Sequence, residues 1–385
     1  MQVEIMGAGG RMNVAAGSDK PYAFKRVPVS KPPFELSDLK KAIPPHCFKR
    51  SLVRSFAALF RDIVIVSALY YLAATIIPVL PKPLTYVAWP LYWFFQGAYL
   101  MGLWVIGHEC GHHGFSEYQW LDDTIGFIVH SLILTPYFGF KYSHRTHHAN
   151  TNSIEYDEVW VPKRKSDKLY SEILNNPLGS FMVFVFKIIL GFPLYFVFNL
   201  YGRKYEKGIT SHFYPYSPIF NDSERFQIFL TDLGVFGTLY GVYRLALIKG
   251  TEWVINFYGM PILFMSGFFI LLTYLHHTHP SIPHYDSTEW DWLRGALATV
   301  DRNFGFLNHA FHDVTRTHAV HHLFPTIPHY HTFEARLAVM PILGDYYKYD
   351  DTPILEAVWR ETKDCIFIEP EEVNGEKKGI YWFYK

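Results

Sequence analysis

Two long runs without a charged residue follow one another between positions 63 and 107, and they restrict the folds open to this chain. Ile63–Leu80 has 18 such residues and Leu84–Gly107 has 24, and only "PKP" separates them. At 1.5 Å per residue, helices of this length cross a bilayer core that is about 30 Å thick. Tyr and Trp crowd the second run, as they do at membrane interfaces. The two runs predict a transmembrane helical hairpin rather than two buried helices of a soluble protein.

Three further apolar segments lie at Ser180–Tyr201, Phe226–Leu247 and Trp253–Leu275. The first contains Lys187 and Pro193, which suit a spanning helix least, so we expect it to lie along the interface while the other two cross. The stretch 123–142 is apolar with polar interruptions and predicts a short membrane-surface helix. The sequence therefore indicates an all-α integral membrane protein with about four transmembrane helices plus interfacial helices.

Histidines collect in three short motifs that we call boxes one, two and three. These are "HECGHH" at 108–113, "HRTHH" at 144–148 and "HAVHH" at 318–322. In boxes two and three the histidines are spaced i, i+3 and i+4, which places them on one face of a helix. Box one has the i, i+4 pair His108 and His112, with His113 round the side. Nine neutral nitrogen ligands are too many for one tetrahedral ion and suit two metals that share a site.

The candidate metal ligands are His108, His112, His113, His144, His147, His148, His318, His321 and His322. If they share one site, an even number of crossings separates box two from box three. Both termini then lie on the same side as the site, and the basic N-terminal region makes that side cytosolic. We divide the chain into a cytosolic N-terminal region at 1–60, a membrane-bound domain at 61–340 and a cytosolic tail at 341–385. The boxes would form a histidine-rich, di-metal cytosolic cap.

Composition excludes some classes of protein and leaves the metal open. The 35 Lys and Arg residues balance the 35 Asp and Glu residues, so nothing predicts a nucleic-acid partner. Cys47, Cys110 and Cys365 are far apart in the chain, which indicates neither a disulfide framework nor a cysteine zinc site. Imidazole binds iron, zinc, copper and nickel. A histidine-rich metal transporter is an alternative of another class, but transporters place ionisable ligands near the bilayer midplane, where the two strongest spans have none.

The three boxes, in this order, resemble those of membrane-bound fatty-acid desaturases. "PYFGFKYSHRTHH" and "PILGDYYKYDDTP" are similar to the plant endoplasmic-reticulum delta-12 oleate desaturase group. The resemblance implies a non-haem di-iron centre with two Fe and O2 as co-substrate. It implies electrons from cytochrome b5 and its reductase, and a phosphatidylcholine-linked acyl substrate in the endoplasmic reticulum membrane. The nine box histidines would be the ligands, with His277 as a tenth and His279 as second choice. The tail Trp382–Tyr384 resembles the family's retrieval signal.

An acyl methylene has no acidic proton, so its oxidation depends on the metal centre, and we expect no separate catalytic residue. Carboxylates near the boxes are candidates to hold the N–H groups of the ligating imidazoles. These carboxylates are Glu109, Asp122, Asp157 and Asp313. Histidines just past the end of a span lie within reach of both a lipid tail and an interfacial electron donor.

Two positions beside the ligands differ from the ordinary desaturase pattern. Ordinary members have Ala before box one and "HRRHH" at box two, where this chain has Gly107 and Thr146. Gly107 together with "ANTNS" at 149–153 resembles the delta-12 acetylenases and conjugases. A glycine removes a methyl group and frees the backbone beside a ligand. The first hypothesis is an acetylenase that converts linoleate to a crepenynate-type triple bond. Ordinary oleate delta-12 desaturase is second, followed by conjugase, hydroxylase or epoxygenase, and the sequence fixes neither the acyl substrate nor the oligomeric state.

Overall fold

The computed structural model describes residues 25–164, 176–373 and 375–384. The α-helices of these residues are α1 (Leu36–Ala42), α2 (Leu52–Ile76), α3 (Lys82–Gly111), α4 (Gln119–Leu132), α5 (Tyr137–Asn150), α6 (Pro177–Phe198), α7 (Arg225–Lys249), α8 (Thr251–Val254), α9 (Met260–His277), α10 (Trp292–Leu297), α11 (Leu307–Ala310), α12 (His318–Leu323), α13 (His329–Leu343) and α14 (Ile354–Asp364). The strands are β1 (His284–Tyr285), β2 (Asp301–Arg302), β3 (Tyr349–Asp350), β4 (Phe367–Val373) and β5 (Glu376–Tyr384). The predicted helical membrane fold is confirmed, and the short strands add to it.

The helices α2 and α3 form the hairpin that the two uncharged runs predict. The Ser51 side chain caps α2 by accepting a hydrogen bond from the Arg54 N–H. Pro81 precedes α3 and Pro83 lies in its first turn, where a missing N–H costs nothing. Farther along α3, a Cβ on Gly97 would lie 2.6 Å from the Cβ of Phe264, so this glycine lets α3 and α9 pack closely.

Within the part of the chain that the structure describes, three helical stretches are long and apolar enough to cross a membrane, namely Leu52–Val79, Leu178–Phe198 and Thr251–His277. The 30-residue α3 and the 25-residue α7 are also long enough, but their Tyr and Gly residues make them less apolar. By composition alone, α6 is therefore a better span than α7. This ranking is the reverse of the one that Lys187 and Pro193 suggest in the sequence.

The contacts of α6 show an oblique course across α9. Phe184 near the start of α6 contacts the ring of Tyr274, with centroids 5.9 Å apart. Phe196 near its end contacts Phe269, with centroids 6.4 Å apart. The contacts therefore advance more than three turns along α6 but less than two turns along α9, which helices packed side by side would not do. The tightest approaches, at Gly267 and Ile270, place the crossing point near the middle of α9.

The helices α7 and α9 lead away from the site and back to it. Glu224, directly before α7, forms an ion pair with Arg145 of α5. At the far end, Gly250 has φ +89°, a left-handed conformation that suits glycine, and connects α7 to α8. A π-helical turn at Ile255–Gly259 then leads into α9, which ends at His277. Exposed Phe and Leu side chains along α7, such as Phe229 and Leu233, give this helix an apolar outer face that suits contact with lipid.

The C-terminal residues pack against the rest of the protein. β5 lies between β1 and β4 and is antiparallel to both. Trp382 is only 2% exposed and packs with Tyr285 of β1. Buried Arg302 of β2 donates to Asp350 of β3 at 2.6 Å and to Glu361 of α14 at 2.5 Å. These ion pairs fix α14 to β2 and β3. The described residues of the expected tail 341–385 are therefore integrated into the fold, and the aromatic Trp382–Tyr384 segment is part of a strand.

Candidate metal centre

The three boxes converge because four helix ends meet. Box one begins in the last turn of α3 and ends two residues beyond it, and box two lies in the second half of α5. Box three forms most of the six-residue α12, and α9 ends with His276 and His277 beside it. At a helix end no further turn of the same helix covers the side chains. Histidines from all four elements can therefore point into one space.

The imidazoles form two groups, within each of which one ring nitrogen per residue lies within 4.8 Å of the others. Group one consists of His108, His112, His144, His148 and His321. Group two consists of His147, His277 and His322. The Nε2 of His318 lies 3.0 Å from that of His277 and 3.1 Å from that of His322, so His318 adjoins group two. The stacked rings of His148 and His322, with centroids 4.1 Å apart, connect the two groups.

Boxes two and three each contribute to both groups, in a reciprocal pattern. In box two, the i and i+4 residues His144 and His148 belong to group one, and the i+3 residue His147 belongs to group two. In box three, His321 at i+3 belongs to group one, while His318 and His322 lie at group two. The expectation that boxes two and three each place their imidazoles on one helix face is thus refined, because α5 and α12 both lie between the two groups.

The ring nitrogens of these groups fit a pair of metal ions. His112, His147 and His321 each have a buried Nε2 with no hydrogen-bond partner among the described residues. Buried polar atoms without a partner are unfavourable, and a metal ion would satisfy them. The Nε2 atoms of His108 and His144 lie 2.8 Å apart, and those of His144 and His148 lie 3.1 Å apart. Two nitrogens that bind one ion at about 2.1 Å are separated by about 3.0 Å at octahedral angles and by about 3.4 Å at tetrahedral angles, so these spacings are close to those of shared ligation.

The environment keeps these imidazoles neutral. Burial, followed by the neighbouring imidazoles, lowers the pKa of His148 and of His322 well below the ordinary value. The same causes lower the pKa of His321 to about 3. A neutral imidazole keeps the lone pair that a metal needs, so binding would require no proton to leave. The donor set is therefore consistent with a di-metal site.

Two of the four candidate carboxylates lie beside a box histidine that belongs to a group. Asp157 Oδ1 is 2.6 Å from His147 Nδ1, and Asp157 Oδ2 accepts from the N–H of Asn152 at 2.7 Å. This arrangement fixes the His147 ring so that its unpartnered Nε2 faces group two. Glu109 accepts from the backbone N–H of His329 at 2.9 Å, and its other oxygen is 3.8 Å from His108 Nδ1.

The other two carboxylates and one box histidine lie elsewhere. His113, two residues past the end of α3, has φ +58° and belongs to neither group. Its Nδ1 lies 3.5 Å from Asp122 Oδ2, and Asp122 also accepts from Ser116 at 2.5 Å. Asp313 pairs with Arg316 at 2.7 Å on the surface. His279 lies 3.4 Å from Asp350, apart from the boxes.

Two contacts of the ligands are not evident in the sequence. Thr151 Oγ1 lies 3.1 Å from His322 Nδ1, and Thr151 belongs to the "ANTNS" stretch that singles out the divergent members. Trp104 stacks between His108 and His130, with centroids 5.5 and 5.4 Å away. Trp104 lies one turn before His108, a spacing that could have suggested the stack.

An apolar cavity opens directly beside the two histidine groups. Its walls come from α3, α5, α6, α9 and the chain around Trp160. The apolar lining includes Met101, Trp104, Phe140, Tyr195, Phe269 and Leu272. His108 and His144 of group one and His147 and His277 of group two border it. A ligand in this cavity would meet both groups along one side.

We expect Asp157→Asn to weaken metal binding without unfolding the site. The amide keeps the shape of the carboxylate but loses the charge that orients His147 and increases its basicity. Loss of such an outer partner costs about 10- to 100-fold in metal affinity, and we expect about 10-fold here because the amide oxygen still accepts. Retention of metal against a chelator series measures it. Asp313→Asn is the matched control and should behave as wild type. Equal retention by the two variants would contradict the role of Asp157.

Comparison with known proteins agrees with this site. The family model described as "Fatty acid desaturase" matches residues 85–353, and one described as a "Domain of unknown function" matches residues 10–73. A Brassica juncea protein named "Omega-6 fatty acid desaturase, endoplasmic reticulum" is 57% identical, over 98% of this chain and 99% of that protein. A Crepis alpina "Delta(12) fatty acid dehydrogenase" is 58% identical, over 99% of this chain and 100% of that protein. A Dimorphotheca sinuata "Delta(9) fatty acid conjugase-like enzyme" is 58% identical, over 95% and 98%.

Apolar helices long enough to cross a membrane, two groups of converging imidazoles that fit a di-metal site and an adjoining apolar cavity together describe a membrane enzyme of the kind that oxidises lipid chains. The chain belongs to the fatty acid desaturase family, whose model covers more than half of it. It is an oxidoreductase, and the resemblance that the three boxes indicated is confirmed.

Proposed function

We propose that this desaturase is a delta-12 acetylenase that oxidises a phospholipid-linked C18 acyl chain, converting linoleate to a crepenynate-type triple bond. The observation that supports an acyl substrate is the cavity. It is apolar along its length and meets polar groups chiefly where the histidines border it. A hydrocarbon chain fits such a cavity because burial of apolar surface is favourable by about 25 cal/mol per Å².

The residues of the chain have separable roles in this reaction. A non-haem di-iron centre, when bound, supplies O2 activation and the hydrogen abstraction that an unactivated methylene requires. The two histidine groups would hold the irons, and Asp157 orients His147. Trp104, Phe140 and Phe269 form walls that hold the acyl chain against both groups and exclude water. The position of the acyl chain along these walls determines which of its carbons lie beside the two histidine groups.

The acetylenase assignment rests on the surroundings of Gly107 and on the "ANTNS" stretch. Relatives named as a desaturase, a dehydrogenase and a conjugase-like enzyme are all 57 or 58% identical to the chain. Overall similarity therefore does not separate the product classes, and a few residues near the ligands must do so. Gly107 precedes His108, and a Cβ at Gly107 would overlap the ring of His130. Ordinary oleate delta-12 desaturation is the second candidate, supported by the Brassica juncea relative.

Expression in yeast tests the function. Cells receive oleate or linoleate separately, and mass spectrometry of the methyl esters identifies the products. A triple bond from linoleate supports the acetylenase. Conversion of oleate to linoleate without any triple bond establishes the ordinary desaturase instead. Conjugated, hydroxylated or epoxidised products would each replace the proposal by the corresponding activity.

We further propose an endoplasmic reticulum location, with cytochrome b5 and its reductase supplying electrons and phosphatidylcholine carrying the acyl group. The endoplasmic reticulum appears in the name of the Brassica juncea relative. A cytosolic electron donor needs the metals near the cytosolic surface. Consistent with this need, His112 of group one is only partly buried, directly after the end of α3.

We expect both termini and the boxes to be cytosolic, with α2, α3, α7 and α9 crossing and α6 lying at the interface. The oblique course of α6 across α9 supports this topology, as does the out-and-back path of α7 and α9. Glycosylation acceptors inserted at the α2–α3 turn and beside Gly250 should be modified, because both turns would be lumenal. Acceptors on either side of α6 should remain unmodified. Glycosylation on one side of α6 alone would show that this helix crosses.

A further inference from the structure

A third cluster of metal-binding residue types lies apart from the boxes. His46 and Cys47 belong to the short 3-10 helix Pro45–Phe48, and His331 and Glu334 belong to the first turns of α13. One ligand atom from each of these four residues lies within 4.8 Å of those of the others. We propose that His46, Cys47, His331 and Glu334 form a zinc site that joins the N-terminal segment to α13.

The distances suit one tetrahedral ion. Cys47 Sγ lies 3.7 Å from His46 Nε2. Glu334 Oε2 lies 2.9 Å from His46 Nε2 and 3.8 Å from His331 Nδ1. Bond lengths of about 2.3 Å to sulfur and about 2.0 Å to nitrogen or oxygen place tetrahedral ligands about 3.3 to 3.6 Å apart. Movements of about half an ångström by the half-exposed side chains of His46 and Glu334 would complete the geometry.

The donor set identifies the class of ion. One thiol, two imidazoles and one carboxylate combine soft and borderline ligands, which favour Zn²⁺ over Mg²⁺ or Ca²⁺. Burial, followed by the charge of Glu334, raises the pKa of the Cys47 thiol to about 11, so the thiol carries its proton when no metal is bound. Binding would replace that proton by the metal and release it to solvent. No electron transfer is involved, because Zn²⁺ has no redox chemistry.

Arg54 competes with metal binding at His331, so its replacement provides a test of the site. Its Nη1 lies 3.1 Å from His331 Nε2, where it donates to the ring. A metal on His331 Nδ1 moves the ring proton to Nε2, so Arg54 must turn away. The Tyr330 carbonyl, 3.4 Å from Arg54 Nη2, and the Tyr330 ring, 4.2 Å from the guanidinium, remain available to it. Removal of this cation should therefore tighten metal binding.

Cobalt distinguishes this site from the di-metal centre, because the histidine groups contain no thiolate. We would purify the full-length protein in lipid nanodiscs and titrate it with Co²⁺ and then with Zn²⁺. The proposal predicts a thiolate-to-cobalt charge-transfer band that Zn²⁺ removes. The band should disappear in Cys47→Ser and persist in Cys365→Ser. His46→Gln, at a half-exposed position that leaves the packing intact, should weaken Zn²⁺ binding by at least about 100-fold, since even outer-shell partners contribute about 10- to 100-fold.

Arg54→Gln should tighten Zn²⁺ binding several-fold, because it removes the competing donor and its charge. Metal analysis should find one more zinc per chain in wild type than in Cys47→Ser at equal iron content. Absence of the charge-transfer band in folded wild-type protein would overturn the proposal. A band that survives in Cys47→Ser would also overturn it, since the thiolate would then belong to another cysteine.

Discussion

Replacement of His321 by alanine should lower product formation by at least about 100-fold, because loss of a ligand exceeds the cost of losing an outer partner. His321 contacts more of group one than its i+3 position suggests: its ring lies 4.6 Å from that of His108, 4.8 Å from His112 and 4.7 Å from His148. Its Nε2 is buried and unpartnered among the described residues. Product from expressed protein and iron per purified chain should fall together, while the protein stays in the membrane.

His113→Asn is the matched control for His321→Ala. Both positions are box histidines in the sequence, but the structure places only His321 in a group. Asparagine tolerates the left-handed φ of +58° at position 113, so the turn after α3 should survive. We expect activity within a few-fold of wild type and unchanged iron content. Loss of iron in His113→Asn would restore His113 to the ligand set, and full turnover by His321→Ala would remove His321 from it.

The features that could be predicted from the sequence are those with short-range signals. The hairpin at 63–107 follows from run length and absence of charge, and the convergence of the boxes follows from three motifs of similar spacing. The position of His113 could not be predicted, because it depends on one left-handed residue at the end of α3. The division of boxes two and three between the two groups also depends on how α5 and α12 face one another across the site.

Contacts between residues that are far apart in the sequence could not be predicted from any single motif. His46 and Cys47 are almost 300 positions from His331 and Glu334, and only the packing of the N-terminal segment on α13 brings them together. The wide spacing of the cysteines in the sequence argued against a zinc site built from several cysteines. It could not reveal a cluster in which only one of the four residues is a cysteine. The strands β4 and β5 have seven and nine residues but contain several charged side chains, so the sequence predicts a soluble tail there and not a sheet. For α6, the apolar composition favours a membrane-spanning helix, whereas its oblique contacts with α9 favour a helix at the interface. The apolarity of a helix does not determine its angle to the membrane.

Gly107→Ala should shift the product from the triple bond toward the ordinary double bond. A Cβ at this position would lie 2.2 Å from Cδ2 and 2.3 Å from Nε2 of His130. His130 is buried, and its Nε2 donates to the Trp104 carbonyl at 2.9 Å, so the ring cannot move without disturbing Trp104. Trp104 both stacks on His108 and lines the cavity. The methyl group would therefore act on a ligand and on a cavity wall at once.

Displacement of about 1 Å can cost on the order of 100-fold in rate, so we expect triple-bond formation to fall about 100-fold while oleate desaturation is retained. Gly111→Ala is the matched control within box one, because its Cβ would meet only Lys141 side-chain atoms at 3.8 Å and beyond. Thr146→Arg alone should change little, because Thr146 Oγ1 donates to the Tyr142 carbonyl of its own helix. The ratio of triple- to double-bond product, with oleate and linoleate supplied separately, measures the effect independently of total turnover. If Gly107→Ala leaves this ratio unchanged, alone and with Thr146→Arg, then the glycine does not determine the outcome and the acetylenase assignment loses its structural support.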